Sequence, residues 1–333
     1  MKIVKKIESG TVVEELGDVP INSELNRNVL IVGSSGSGKS FLGRILRDQQ
    51  KPEITFVYKE DDLYKKMTRI VEKREWITPD LDKTAFIDSF SEAQNLTEIG
   101  ILGSSLPSVL NEIYREGNVR MMKMRLKTLS VSRKGIDVAV YNYILSKLSM
   151  YYPDGHIYPQ VRKVGGSRGS SGGLIGSGSV ISLSEGSIYD IISYYGLTQE
   201  EQIFFSDFIL RIIMLTETEK RKEILHGIMI DEIHRLKQLN SGIISEIVRE
   251  IRHRGYIIGI TQSLTDLPDS LVNNFGTIFQ FHSIHFQDLE RLRVIDPELP
   301  RAVLRLRAHE FVEVQRFVGE NRNGHRFIYE VVE

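Results

Sequence analysis

The chain has no cysteine among its 333 residues. Disulfide staples and thiolate metal sites are therefore excluded, and with them the small secreted scaffold that depends on such cross-links. Charge imbalance is also missing: 43 Lys and Arg stand against 44 Asp and Glu, a formal net charge of −1. No global field draws the chain to nucleic acid, so any such contact must come from a local basic patch. Long apolar runs are absent as well. The greasiest stretch, Ile203–Leu215, is broken by Ser206, Asp207 and Arg211, well short of the ~20 apolar residues that span a bilayer. The start, MKIVKKIESG, is basic but lacks the apolar core of a signal peptide. These absences give the expectation of a cytoplasmic protein, with membrane attachment only peripheral and through a partner.

What is present fits a soluble globular chain: 41% hydrophobic and 26% charged residues. The length suits one large α/β domain with an insertion, or two smaller domains. Short apolar runs bounded by polar or glycine residues read as buried parallel strands at Asn28–Val32, Ile54–Tyr58, Val180–Leu183, Gly227–Ile230, Ile257–Thr261 and Thr277–Phe281. Helical spacing appears in Phe41–Asp48, Gln199–Leu215 and Ile243–His253, and residues 60–150 are mostly helical by pattern. Phe311–Val318 and Arg326–Val332 alternate around a polar turn and predict a closing hairpin. Strands alternating with helices predict an α/β fold, a mostly parallel sheet covered by helices on both faces. Gly165–Ser179 is low-complexity, a flexible Gly/Ser-rich loop or linker.

One motif carries definite chemistry. Gly33-Ser34-Ser35-Gly36-Ser37-Gly38-Lys39-Ser40 fits G-x-x-x-x-G-K-[ST] in full. Glycines let the loop curl so that backbone N–H groups point at phosphates, and the helix that follows turns its positive end toward the same anion. Lys39 has the reach for the β- and γ-phosphates, the Ser40 hydroxyl is a ligand for Mg²⁺, and Phe41 continues the loop into the helix. The motif predicts ATP and Mg²⁺. Downstream, the apolar strand of HGIMIDEIHRL ends in Asp231-Glu232. Such a pair also closes ordinary strands. With a complete phosphate loop upstream it predicts Asp231 as the Mg²⁺ holder and Glu232 as the base that polarises the attacking water. A third element, Arg249-Glu250-Ile251-Arg252-His253-Arg254-Gly255, precedes a strand tipped by Thr261-Gln262. Cations and a glycine end many helices. A glutamine at the carboxyl end of a buried strand is less ordinary, because ligands of open α/β sheets sit at that edge. Gln262 is thus a candidate to sense the γ-phosphate, and one of the arginines a candidate finger for a neighbouring subunit's site.

Taken together, GSSGSGKS, IMIDEIHRL and REIRHRGYIIGITQS with LPDSLVNNFGTIFQF resemble the HerA/FtsK superfamily over residues ~19–48 and ~178–283. The resemblance implies a RecA-like ATPase core at 19–58 and 178–333, a mostly helical insertion at 59–164 and a flexible segment at 165–177. It implies a ring motor, a hexamer, that hydrolyses ATP to move DNA as a translocase or helicase. It also implies Arg252 as the finger acting across the subunit boundary, in preference to Arg249 and Arg254. Ile233 stands where family members often carry alanine. The family's N-terminal barrel has no place before Gly33, so the chain resembles a reduced branch, of the kind used in DNA transfer, uptake or packaging. A membrane-docked transfer or secretion ATPase working on a channel protein is the runner-up. Protein-remodelling ATPase and nucleotide-gated switch follow.

Other signals are weaker. Arg120, Lys123, Arg125, Lys127, Arg133 and Lys134 crowd one segment, and two readings stand: a solvated helix face, or a surface tracking DNA phosphates. His282 and His285 make half a zinc site at best. Gly169–Gly173 fits a nucleophile-elbow pattern without the strand and helix that pattern requires. Tyr151, Tyr152, Tyr158, Tyr194 and Tyr195 read as packing groups before stacking platforms.

Overall fold

The computed structural model describes residues 2–7, 12–16, 19, 26–52, 54–59, 68–69, 79–95, 100–115, 117–132, 136–154, 190–219, 227–238, 242–251, 255–315 and 327–332. Among these residues, eleven strands form one sheet. In chain order they are β1 (Lys2–Ile7), β2 (Val12–Leu16), β3 (Val29–Val32), β4 (Ile54–Val57), β5 (Thr68–Arg69), β6 (Asp190–Ser193), β7 (Gly227–Ile230), β8 (Tyr256–Thr261), β9 (Thr277–Phe281), β10 (Glu310–Gln315) and β11 (Phe327–Val332). Across the sheet the order is β2-β1-β11-β10-β9-β3-β8-β7-β4-β6-β5. The seven strands from β9 to β5 run parallel. The four from β10 to β2 continue the sheet antiparallel.

The parallel strands VLIV, ITFV, GIMI, YIIGIT and TIFQF are buried along their whole length. A parallel sheet is covered on both faces, so its strands are apolar on both sides. Alternation then splits the core in two. Val29, Ile31, Ile258, Ile260, Phe279 and Phe281 pack with Leu42 and Leu46 of helix α1 (Lys39–Gln50). Leu30, Val32, Phe56, Ile228, Ile230 and Ile257 face the other way, into the layer of the long helix Gln199–Glu219 and the helix Ile243–Ile251.

One buried residue ties the centre together. Asn28, just before β3, donates through Nδ2 to the carbonyls of Val248 (2.9 Å) and Asn274 (3.2 Å), and its Oδ1 accepts from the N–H of Ile257 (2.9 Å). A single amide thus satisfies backbone groups from three other segments, which buried polar groups require.

Helices Lys83–Asn95, Gly100–Ile113, Val119–Ser132 and Ile136–Tyr151 pack beside the sheet and form most of the described part of the expected insertion, whose strand β5 joins the sheet itself. Their junction with the helix Gln199–Glu219 is aromatic: Phe86, Phe90, Tyr151, Phe204 and Phe208 interlock, with Tyr151 stacked on Phe204 at 4.2 Å between centroids. Tyr151, Tyr152 and Tyr194 are fully buried and pack as core residues, while Tyr195 is 40% exposed. Tyr158, the strand expected at Val180–Leu183 and the Gly/Ser-rich segment 165–179 lie outside the described residues. The closing hairpin forms as expected, β10 against β11. The sheet takes in two strand pairs that local pattern did not reveal: β1–β2 at the antiparallel edge and β5–β6 at the parallel one.

Candidate active site

The phosphate loop spans from the tip of β3 to the start of α1, as its sequence requires. Gly36 (φ 76°) and Gly38 (φ 107°) take left-handed backbone that a side chain resists. Gly33 is needed for closeness: a Cβ there would lie 2.5 Å from Cβ of Phe281. Ser35 and Gly36 stand exposed at the loop's crest, and Gly38, Lys39, Leu42 and Gly43 are buried beneath it. The Ser34 N–H and hydroxyl both donate to the His282 carbonyl at 3.0 Å, anchoring the loop to the end of β9. Ser37 is 5% exposed, and its hydroxyl has no partner. Lys39 folds back over the loop, its Nζ donating to the Ser34 carbonyl at 2.7 Å. Burial pushes the Lys39 ammonium below its usual range, while Glu232 and Asp231 pull it back up.

Asp231 and Glu232 follow β7. The Asp231 N–H donates to the Phe56 carbonyl at 2.9 Å, which locks the tips of β7 and β4 together. Glu232 adopts φ 59°, left-handed backbone that a non-glycine residue adopts only when its surroundings hold it there. Those surroundings are visible. Lys59 Nζ meets Glu232 Oε1 at 2.7 Å, Gln262 Nε2 donates to the same oxygen at 3.2 Å, and His234 Nε2 lies 3.2 Å from Oε2. Burial alone would raise the Glu232 carboxyl, but hydrogen bonds from His234, Lys59 and Gln262 overcome it and hold the group at about 2. His234 is in turn 3.3 Å from the Thr261 hydroxyl, so its ring bridges β8 and Glu232.

The tips of β8 and β9 are joined by Asp288, a fully buried carboxylate. It accepts from the Ser263 hydroxyl at 2.6 Å, the Ser283 hydroxyl at 3.2 Å and the Thr265 N–H at 3.0 Å. Strand ends β3, β7 and β8 therefore bring Lys39, Ser40, Asp231, Glu232 and Gln262 to one edge of the sheet.

Three solved structures share this architecture. VirB4 of Thermoanaerobacter pseudethanolicus matches with a TM-score of 0.67 at 14% identity, covering 99% of this chain and 96% of that one. The bacterial conjugative coupling protein TrwB, lacking its first 70 residues, matches at 0.53 and 12% identity, over 100% and 94%. The plasmid coupling protein TrwB in complex with the non-hydrolysable ATP analogue ADPNP matches at 0.50 and 11%, over the same shares of 100% and 94%. The fold is that of a RecA-like P-loop ATPase. No protein-family model matches this chain, and no curated protein does.

Within this P-loop fold the other expected residues fall as follows. Arg252, with Arg254, lies outside the described residues. Arg249 is exposed on the last turn of its helix and pairs with Glu250 at 3.2 Å. In the helix Val119–Ser132, Arg120 and Lys127 are exposed, and Arg125 approaches Glu112 at 3.9 Å. Lys123 is buried, bound to the Tyr152 carbonyl and at 2.8 Å to Asp154. Its ammonium is spent inside the insertion and is withdrawn from any phosphate-tracking face. Arg133 and Lys134 lie outside the described residues. His282 serves through its backbone carbonyl.

Local pattern missed Lys59 and His234 as site residues. Lys59 carried a usable signal, since a charged residue at the end of the buried strand ITFVY resembles Gln262 at the end of its own strand. His234 sits inside the quoted motif, and only its contact with Glu232 distinguishes it from a surface histidine.

Proposed function

We propose that the chain is an ATP-hydrolysing ring motor of the HerA/FtsK type that moves DNA. The observation carrying this reading is the shared strand edge of the phosphate loop, Asp231, Glu232 and Gln262. The residues fit their ligands. The loop presents a curled backbone, a buried and unpartnered Ser37 hydroxyl, and a lysine that donates to a loop carbonyl it can exchange for phosphate. Ser40 and Asp231 supply the hard oxygen donors that Mg²⁺ prefers. Bound there, the ion would neutralise charge on the phosphate oxygens.

The chain's own groups do the rest. Lys39 transfers its hydrogen bond from Ser34 to the terminal phosphates. Water attacks the γ-phosphorus, the bond to the β–γ bridging oxygen breaks, and Glu232 takes the water's proton. A carboxylate held at about 2 is a weak proton acceptor. Giving up Lys59 or His234 raises its basicity, so these two contacts stand between the resting and the working base. Gln262, bound to Glu232 and rooted on β8, links the γ-phosphate to the strand edge.

The working unit we infer is a core of residues 19–58 and 178–333, extended by the β1–β2 hairpin, with residues 59–164 inserted. Arg252 is the proposed finger for a neighbour's site. Of the cations we propose to contact DNA, Arg120, Arg125 and Lys127 remain among the described residues that are not buried. Likeness to a conjugative coupling protein also supports a version docked on a membrane channel protein, which pull-down from solubilised membranes tests.

The central test compares ATP hydrolysis by wild type and Glu232→Gln without nucleic acid, with single-stranded DNA and with duplex DNA. Duplex stimulation that is lost in the variant and weakened by added salt is the expected result. Turnover indifferent to both DNAs overturns the motor reading and directs the search to polypeptide substrates.

A further inference from the structure

Three non-glycine residues among those described have left-handed backbone: Lys51, Glu232 and His309. Lys51 caps helix α1, a common use of that conformation. Glu232 is the proposed base. His309, at φ 68°, sits in the turn before β10 and has no part in the chemistry above.

Its backbone is pinned from two sides. The N–H donates to the Ser37 carbonyl at 2.8 Å, and the carbonyl accepts from the Val331 N–H at 3.0 Å. The residue also lies directly on the last glycine of the loop: a Cβ on Gly38 would stand 2.9 Å from Nδ1 of His309 and 3.0 Å from its Cα. The imidazole meets the Phe41 ring edge to face, with centroids 5.2 Å apart at 80°. His309 therefore touches the loop at residues 37, 38 and 41, where the loop becomes helix.

Sheet order gives this placement a direction. From β3 the sheet runs through β8 to β7 on one side and through β9 to β10 on the other. Glu232 follows β7 and His309 precedes β10, so the two flank the loop at opposite ends. A triphosphate with its terminal phosphate toward Glu232 must leave the loop by the other end. The group carried there is the nucleoside.

We propose that His309 and Phe41 form the corner that receives the nucleobase, with the base stacked on the imidazole and bordered by the phenyl ring. The ligand class is a nucleoside triphosphate held by its flat ring, and purines gain most because stacking scales with overlap. This rests on the reading of Gly33–Ser40 as a triphosphate loop, and the test separates the two.

The test measures binding of ATP, CTP and inorganic triphosphate, each with Mg²⁺, to wild type, His309→Asn and Lys39→Ala. Asparagine tolerates left-handed backbone, so His309→Asn removes the ring while keeping the turn. It should weaken ATP by about tenfold or more, as loss of one base-stacking contact does. It should leave inorganic triphosphate unchanged. Lys39→Ala should weaken both ligands. ATP binding by His309→Asn equal to wild type overturns the proposal while leaving the loop reading intact. Equal loss of ATP and inorganic triphosphate also overturns it, by showing that His309 only shapes the loop. Wild type that binds neither ligand removes the loop reading and the proposal with it.

Discussion

At the scale of single residues the site is a set of donors arranged around one carboxylate. Glu232 receives Lys59, Gln262 and His234, and without them burial would drive it toward neutrality. A carboxyl held at about 2 in the folded chain and near 4.3 when unfolded stabilises the fold fully above the unfolded value. That contribution is lost as pH falls through the folded one. Lys59→Met removes the shortest of the three contacts. In the absence of nucleotide and Mg²⁺, the Glu232 titration should move up from about 2. The variant should unfold more easily than wild type in urea at pH 7, with the gap narrowing as pH falls from about 5 toward 2. A gap unchanged across that range would show that Lys59 contributes by packing and not by charge.

At the scale of elements, helix α1 is held close to the sheet by Gly43. A Cβ there would stand 2.6 Å from Cδ1 of Ile260 and 3.1 Å from Cε of Met229, both buried. The helix carries Lys39 and Ser40 at its first turn, so its height above the sheet sets the phosphate site. Gly43→Val should lift it, with a loss of about 1–3 kcal/mol by overpacking and weaker ATP binding. Denaturant midpoints and equilibrium binding check both effects. A variant of wild-type stability and affinity would mean that Ile260 and Met229 yield without moving the helix. Asp288 does comparable work for β8 and β9, since its three bonds hold the strand tip that presents Gln262.

At the scale of the whole molecule, the long sheet brings the candidate site residues to one edge, and no described helix is long and apolar enough to cross a membrane. The finger proposed at Arg252 would act on a site in another copy, which makes assembly part of the proposed mechanism. Sedimentation with an ATP analogue should show a closed oligomer, a hexamer by the resemblance, and Arg252→Ala should still assemble while losing turnover. A monomer at high concentration would exclude the ring.

The sequence by itself determined whatever depends on consecutive residues. The loop Gly33–Ser40 is legible because phosphate binding needs glycines, lysine and a hydroxyl at fixed spacing along one strand-to-helix turn. The buried strands β3, β4, β7, β8 and β9 are legible because a strand covered on both faces must be apolar throughout. Asp231-Glu232 and Gln262 are legible because each ends such a strand at the edge where ligands sit. Tertiary structure decided what depends on neighbours distant along the chain. Strand β6 has only two apolar residues, Ile191 and Ile192, and exists because β4 supplies its hydrogen bonds. β1 pairs with β11 from the opposite terminus, Lys2 against Val332. Lys123 looked like a surface cation until the fold buried it against Tyr152 and Asp154. Lys59 became a partner of Glu232 only when strand order set β4 beside β7, and Gln262 only when it set β7 beside β8. Charge and polarity are written in the sequence, but which group each side chain meets is fixed by packing.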